Sequence, residues 1–203
     1  TPVAGGAEPT PTDRPISTPV AEAEAIRYSG SGNEVLEIEK PTGTACMMHV
    51  KGNDSSAYFG VKAYDKDGER LETYVDTILP YDGTRMLDLL DDHQTATLEV
   101  EAEGPWSIEL LPLTPEYVQD RLLESQAEKS GVGDEVLLVK GDPQIIRLSH
   151  EGKSRLIVKA YGMGLARPVF NRRGDHEGEE AILPLGTVFL EVLTEGRWTI
   201  GLE

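Results

Sequence analysis

The chain has one cysteine in 203 residues, which excludes an intramolecular disulfide and a cysteine-based zinc site. Aromatic residues make up 6% of it, too few to spend many on ligand platforms. Basic residues are scarce: 19 Lys and Arg against 36 Asp and Glu leave a net charge of −17 at pH 7. That field repels phosphate backbones and anionic lipid, which argues against nucleic-acid and acidic-membrane binding. No run approaches the roughly 18 consecutive apolar residues of a membrane span. A membrane is therefore expected to be met only through an N-terminal anchor outside this chain. The 38% hydrophobic content is enough for small cores, and the length accommodates one or two ordinary domains.

Residues 1–25 differ from the rest: they hold Pro2, Pro9, Pro11, Pro15 and Pro19, the Gly5-Gly6 pair and no aromatic. Such a segment cannot bury enough apolar surface to offset the entropy of ordering it, and its prolines bias it towards extended conformations. It reads as a disordered Thr/Pro-rich tether. A chain beginning at Thr1 rather than Met reads as processed or as a fragment. A leader of this kind before an acidic domain is the pattern of a secreted or lipid-anchored bacterial protein. The expected location is extracellular or at the cell surface, tethered to the envelope.

Four blocks recur in the same order. Ser29-Gly30-Ser31-Gly32-Asn33-Glu34-Val35-Leu36 matches Ser130-Gly131-Val132-Gly133-Asp134-Glu135-Val136-Leu137, and Val61-Lys62-Ala63-Tyr64 matches Val158-Lys159-Ala160-Tyr161. Ile78-Leu79-Pro80 with Gly83-Thr84 matches Ile182-Leu183-Pro184 with Gly186-Thr187. Leu98-Glu99-Val100 and Glu103-Gly104-Pro105-Trp106 match Leu190-Glu191-Val192 and Glu195-Gly196-Arg197-Trp198. The chain reads as two copies of one module. The stretch from Thr187 to Glu195 is much shorter than its counterpart from Thr84 to Glu103. The second copy is therefore expected to lack a strand or hairpin, roughly Arg85 to Thr95.

Each copy reads as β. Ala57, Phe59, Val61 and Ala63 alternate with Tyr58, Gly60, Lys62 and Tyr64, as do Leu156, Val158 and Ala160 with Arg155, Lys159 and Tyr161. Trp106, Ile108 and Leu110 alternate likewise, with Trp198, Ile200 and Leu202 as their echo, so both tryptophans are expected in cores. Further strands are expected at 34–39, 44–51, 85–91 and 96–102. Short strands split by Gly, Pro and Asp turns predict an all-β chain of two tandem, small antiparallel β-sandwich modules of jelly-roll-like form. Between them Thr114, Pro115, Glu116 and Asp120 suit a helix N-terminus, Val118 and Leu122 share a face, and Gly131 stops it. The expected division is a tether over 1–25, module 1 over 26–113, a helical linker over 114–129 and a shortened module 2 over 130–203.

Gly30-x-Gly32-Asn33-x-Val35, the strand with His49, the hairpin Asp67-Gly68-Glu69, Tyr81-Asp82-Gly83-Thr84-Arg85 and Glu103-Gly104-Pro105-Trp106-Ser107-Ile108-Glu109 together resemble a family of uncharacterised secreted or membrane-tethered bacterial β-sandwich modules. The resemblance covers 29–112 well and 130–203 in degraded form. In the second copy Val188 stands where Arg85 stood, and Gly162-Met163-Gly164 replaces the acidic hairpin. The resemblance implies an envelope location and a non-catalytic module, and no activity.

Several constellations could carry chemistry. Cys46-x-x-His49 has the look of half a metal site, but residues three apart on a strand point to opposite faces, so Cys46 is expected in the core beside Met48 and Val50. Asp65, Asp67 and Glu69 crowd carboxylates on one turn and are the calcium candidates, although the EF-hand spacing is absent. Asp88, Asp91 and Asp92 beside His93 form a second acidic cluster, read as a solvated loop. His49, His93, His150 and His176 have no nucleophile elbow beside them, and Gly30-x-Gly32 lacks the third glycine and helix of a phosphate loop. No enzyme activity and no cofactor beyond that calcium is expected. Tyr58, Lys62 and Tyr64, with Lys159 and Tyr161, would form outward faces suited to a sugar ring or a protein.

The leading expectation is a non-catalytic exported envelope protein, acting as a structural or protein-binding accessory through its β-sandwich surfaces, with an envelope or extracellular protein as partner. The alternative is a carbohydrate-binding module for polysaccharide, calcium-assisted or not. A small hydrolase would need a cleft lined by histidine and carboxylates.

Overall fold

The computed structural model describes residues 23–43, 45–54, 57–90 and 94–203. The chain is all-β. In the first half the strands are β1 (Ile26–Ser31), β2 (Glu34–Glu37), β3 (Cys46–Gly52), β4 (Phe59–Tyr64), β5 (Arg70–Thr77), β6 (Tyr81–Leu87), β7 (Thr97–Glu101) and β8 (Pro105–Leu111). A single α-helical turn, α1 (Pro115–Val118), and a 3-10 turn (Gln119–Arg121) lead to β9 (Leu122–Glu124). There follow β10 (Glu128–Val132), β11 (Glu135–Lys140), β12 (Ile145–Glu151), β13 (Arg155–Gly162), β14 (Leu165–Arg173), β15 (His176–Ile182), β16 (Phe189–Leu193) and β17 (Arg197–Leu202).

Four sheets result, with strand orders β1-β8-β3-β6, β2-β7-β4-β5, β10-β17-β12-β15 and β14-β13-β16-β11-β9. Adding nine to each strand number of the first two sheets gives the last two, apart from β9. All pairings are antiparallel except that of β9 with β11. Among the described residues no ladder joins a strand before α1 to one after it. Within each half the alternating apolar residues of two sheets meet over one core. Cys46, Met48, Val50, Phe59, Val61 and Leu98 belong to the first, and Leu137, Leu148, Leu156, Val158 and Leu190 to the second.

The repeated Gly-x-Gly is a cradle for tryptophan. Gly30 lies directly across from Trp106 on β8, and Gly131 across from Trp198 on β17. A Cβ on Gly30 would stand 2.4 Å from Trp106 Cζ2, and one on Gly131 2.3 Å from Trp198 Cζ2. The second glycine of each pair, Gly32 or Gly133, turns the chain at φ 78°. Its carbonyl accepts the indole N–H, at 3.0 Å for Trp106 and 2.9 Å for Trp198. Both indoles are thereby buried with their one polar atom satisfied.

Three expectations are corrected. The second half keeps eight strands that correspond to those of the first, so no strand or hairpin is lost: β15 pairs with β12 as β6 does with β3. Ile78-Leu79-Pro80 leads into β6 whereas Ile182 ends β15, so this apparent repeat does not occupy equivalent places. The linker helix over 114–129 is one α-turn and one 3-10 turn. Leu122 takes an extended conformation (φ −66°, ψ 131°), and Leu123 enters the second core while β9 pairs with β11. Burial of that leucine and a parallel ladder outweigh the gain from further helical turns.

Candidate functional site

The two halves meet where the outer face of the β14-β13-β16-β11-β9 sheet packs against β6 and the outer face of its sheet. Met47, Met86 and Leu111 come from the first half, Val118 from α1, and Val136 from β11, with Leu138 and Phe189 packed alongside. The Thr84 N–H donates to the Asp134 carbonyl at 2.9 Å, tying the edge of β6 to the second half.

A charged cluster lies beside this apolar patch. Arg85 is buried, and its Nε donates to Glu191 Oε1 at 2.9 Å. Its other nitrogens reach the Tyr74 carbonyl at 2.5 Å and Glu72 Oε1 at 3.3 Å. The guanidinium also lies 5.3 Å from the centre of the Tyr74 ring. Glu191 is equally committed: Oε1 accepts the Met86 N–H at 3.1 Å, Oε2 accepts the Tyr161 hydroxyl at 2.8 Å, and Lys159 Nζ stands 3.3 Å away. Asp134 accepts the Tyr81 hydroxyl and the Thr194 N–H, each at 2.8 Å, and lies 3.8 Å from Arg85.

Burial works against every charge here, and the partners decide the outcome. Burial would lower the Arg85 pKa, but Glu191 and Asp134 outweigh it and hold the guanidinium charged. Burial would raise that of Glu191, but Arg85 and Lys159 bring it below the ordinary carboxylate value. Asp134 has less help, and burial leaves its pKa raised. The hydroxyls of Tyr81 and Tyr161 are pushed up by burial and then by Asp134 and Glu191 respectively, so both remain donors. The cluster can orient two bodies. Its acids and bases are largely paired with one another.

Two grooves flank it. One, of about 260 Å³, includes Glu72, Tyr74, Lys159, Tyr161 and Arg167 in its lining. The other, of about 710 Å³, runs along β5 past Leu79 and Val132 to Arg155 and Arg173.

The five residues proposed for ligand contact divide between two places. Lys62 and Tyr64 stand on the outer face of β4, with Tyr58 just before the strand: Lys62 pairs with Glu101 at 2.7 Å, the Tyr64 hydroxyl donates to Glu99 at 2.5 Å, and Tyr58 is 42% exposed. Lys159 and Tyr161 lie in the junction, where Tyr161 is buried rather than outward in solvent. The pairs Tyr64–Glu99 and Tyr161–Glu191 occupy corresponding positions, yet only the second is covered. Around it stand Val136, Leu138 and Phe189, where the register puts Val35, Glu37 and Thr97 in the first half. Leu138 and Phe189 in place of Glu37 and Thr97 make the second face an interface, while the polar pair leaves the first face, Val35 included, in water.

Two of the three calcium candidates, Asp65 and Asp67, are otherwise engaged. Asp65 Oδ1 accepts the N–H groups of Asp67 and Glu69 at 2.9 and 2.8 Å, and Asp67 pairs with Lys66 at 2.7 Å. Among the described residues no group of three or more His, Cys, Asp and Glu side chains is placed to hold a metal ion. Asp88 is buried, not solvated: it pairs with Lys40 at 2.7 Å and accepts both the N–H and the hydroxyl of Thr95. Asp91, Asp92 and His93 lie outside the described residues, as does most of the expected tether. Cys46 is in the core as expected, its thiol pushed up to about 12 by burial and then by Asp88. His49 holds Thr84 at 3.2 Å and Asp82 at 3.2 Å, and His150 holds Gly174 and Thr194 at 2.8 Å each.

Sequence reasoning missed Arg85, Asp134 and Glu191 as a set. The available signal was a charge inside an apolar alternation, such as Glu191 between Leu190 and Val192, but Glu99 shows the same pattern on an uncovered face.

No family model matches the chain, and no curated protein does. Solved structures to which it is similar include the regulatory subunit of a cAMP-independent protein kinase A from Trypanosoma cruzi bound to guanosine, 8% identical over 88% of this chain and 72% of that one, with a TM-score of 0.26. The corresponding subunit from Trypanosoma brucei is 9% identical over 88% and 74%, with a TM-score of 0.26. A chain from the triple jelly roll and turret assembly of an archaeal virus is 10% identical over 90% and 59%, with a TM-score of 0.22. Likenesses this distant carry no inference about the present chain.

Proposed function

We propose that the chain is two tandem copies of one small, jelly-roll-like β-sandwich module, locked into a single body that serves as a non-catalytic, protein-binding accessory of an exported bacterial envelope protein. The observation that carries this reading is the Arg85–Glu191 contact, 2.9 Å long and buried. Two modules that acted separately would need no buried ion pair between them. The strand orders, matching apart from β9, support the tandem reading. The Thr/Pro-rich start of the sequence and its resemblance to secreted modules support the envelope location.

The test is capture from envelope extract on the immobilised full chain, in calcium and in chelator, with bound protein and bound sugar assayed separately. One stoichiometric protein partner, indifferent to chelator, is the expected result. Sugar bound without protein would overturn it in favour of the carbohydrate-binding alternative. That second reading draws its support from the exposed ring of Tyr58 beside Lys62, and Tyr58→Ala would then abolish retention.

A further inference from the structure

The repeat puts the same side chains on corresponding outer faces of the two halves. Val35 and Lys62 stand on either side of Glu99 in the first. Val136 and Lys159 stand on either side of Glu191 in the second. Tyr64 and Tyr161 complete the match, and each donates its hydroxyl to Oε2 of its glutamate. Asn33 repeats Asp134 as well: its Oδ1 accepts the Ala102 N–H at 2.9 Å, as Asp134 Oδ1 accepts that of Thr194. The difference lies at the other glutamate oxygen. Glu191 Oε1 takes the Nε–H of Arg85 and the N–H of Met86, two consecutive residues on an edge strand. Among the described residues no donor reaches Glu99 Oε1. Val136 is buried in the junction, whereas Val35 is 67% exposed.

Charge says what would complete this face. Glu37, Glu99, Glu101 and Asp76 share it with Lys62 and Arg70, and Lys62 is already paired with Glu101. An excess of carboxylates calls for a cation. A guanidinium keeps its charge on burial and presents several planar donors, so it can meet a glutamate and hold other partners, as Arg85 does. An extended strand would bring its arginine and the next backbone N–H together on Oε1, with the following apolar side chain over Val35, as Met86 lies with Val136. A second copy of this chain is a poor source. Its β15, the counterpart of β6, carries Ala181 opposite Ile146 where Arg85 stands opposite Met48, next to Glu179 and Glu180. A net charge of −17 on each copy also opposes self-association. Glu37 and Thr97, in place of Leu138 and Phe189, make the face more polar than the junction, which suits a contact that forms and releases.

We propose that the outer face of β2, β7 and β4 is a reversible docking site for a basic edge strand of another protein, whose arginine binds Glu99 Oε1 as Arg85 binds Glu191. The site deepens the accessory reading and rests on it for the partner being a protein.

Titration of the isotope-labelled full chain with a capped peptide of the sequence of residues 83–87, followed by backbone amide shifts, tests it. The amides of Val35, Lys62 and Glu99 should move, and the affinity should fall as salt rises. Glu99→Gln in the chain, or citrulline for arginine in the peptide, should each weaken binding by about tenfold or more. Tyr58→Ala, which would abolish sugar retention, should leave peptide binding unchanged. Glu99→Gln should melt with the parent, since Glu99 lies on an uncovered face. Absence of shifts, shifts confined to other strands, or equal binding by the citrulline peptide or by Glu99→Gln would overturn the proposal. Self-association of the parent that Glu99→Gln abolishes would overturn it in favour of a second copy. A partner captured from envelope extract equally by parent and Glu99→Gln would sink this face and leave the accessory reading standing.

Discussion

Arg85 on β6 and Glu191 on β16 are 106 residues apart in the chain and 2.9 Å apart in space. Each is the other's main compensation for burial, so removal of one strands the other. Arg85→Ala and Glu191→Ala should each lower stability by about 3–5 kcal/mol. The double variant should lose clearly less than the two losses added together. Urea denaturation of the four proteins in the cycle measures this; additive losses would mean that the pair does not couple.

The same contact sets an acid limb. The folded pKa of Glu191 lies below its ordinary 4.5, so its contribution is present above that value and fades as pH falls through the folded one. Glu191→Gln should therefore be less stable than the parent at neutral pH, and the difference should shrink as pH drops below about 4. Denaturant midpoints across that range would show it, and a gap that stays constant would contradict it.

Gly30 and Trp106 give each half a local reporter. The Cβ of Gly30→Ala would meet the buried indole at 2.4 Å, and the indole is held by its hydrogen bond to Gly32. Overpacking of this kind costs about 1–3 kcal/mol. Because each half has one tryptophan, emission in a Trp198→Phe background should shift with Gly30→Ala. In a Trp106→Phe background it should not. Gly131→Ala should give the reverse pattern.

Calcium should leave the melting temperature unchanged, since Asp65 is engaged with the N–H groups of Asp67 and Glu69. Loss of this turn in Asp65→Ala should cost about 1–3 kcal/mol whether or not calcium is present. Calorimetry with calcium and with chelator decides the matter; a calcium-dependent rise that Asp65→Ala removes would favour the metal reading.

The strands that follow a strict alternation, β4, β8, β13 and β17, were legible because each has one face in a core and local sequence records it. The tryptophans were legible for the same reason. Ile182-Leu183-Pro184 misled because an apolar tripeptide ending in proline suits either side of a strand: in one half it precedes β6, in the other it follows β15. The helix misled because Val118, Leu122 and Leu123 have helical spacing, whereas Leu123 answers to a core built from residues further along the chain. Arg85 was illegible for a stronger reason. Its partners, Glu191 and Asp134, belong to the other half, and burial created between two surfaces leaves no periodic trace in either.

Cys46 offers an alkaline counterpart to the acid limb. It is wholly enclosed among Met48, Val50 and neighbouring core residues, and burial pushes its thiol from the ordinary 9.0 up to about 12. A raised folded value means that the contribution is complete below the unfolded value and is lost as pH rises through the folded one. The parent should therefore lose stability between about pH 9 and 12 faster than Cys46→Ala, which starts lower because a small cavity replaces the sulfur. Thiolate is the reactive form and the core excludes reagent, so a disulfide reagent at pH 8 should label Cys46 only at the rate of unfolding. In urea beyond the transition, labelling should be immediate. Rapid labelling of the folded chain would show that the core between β3 and β4 opens far more readily than its packing implies.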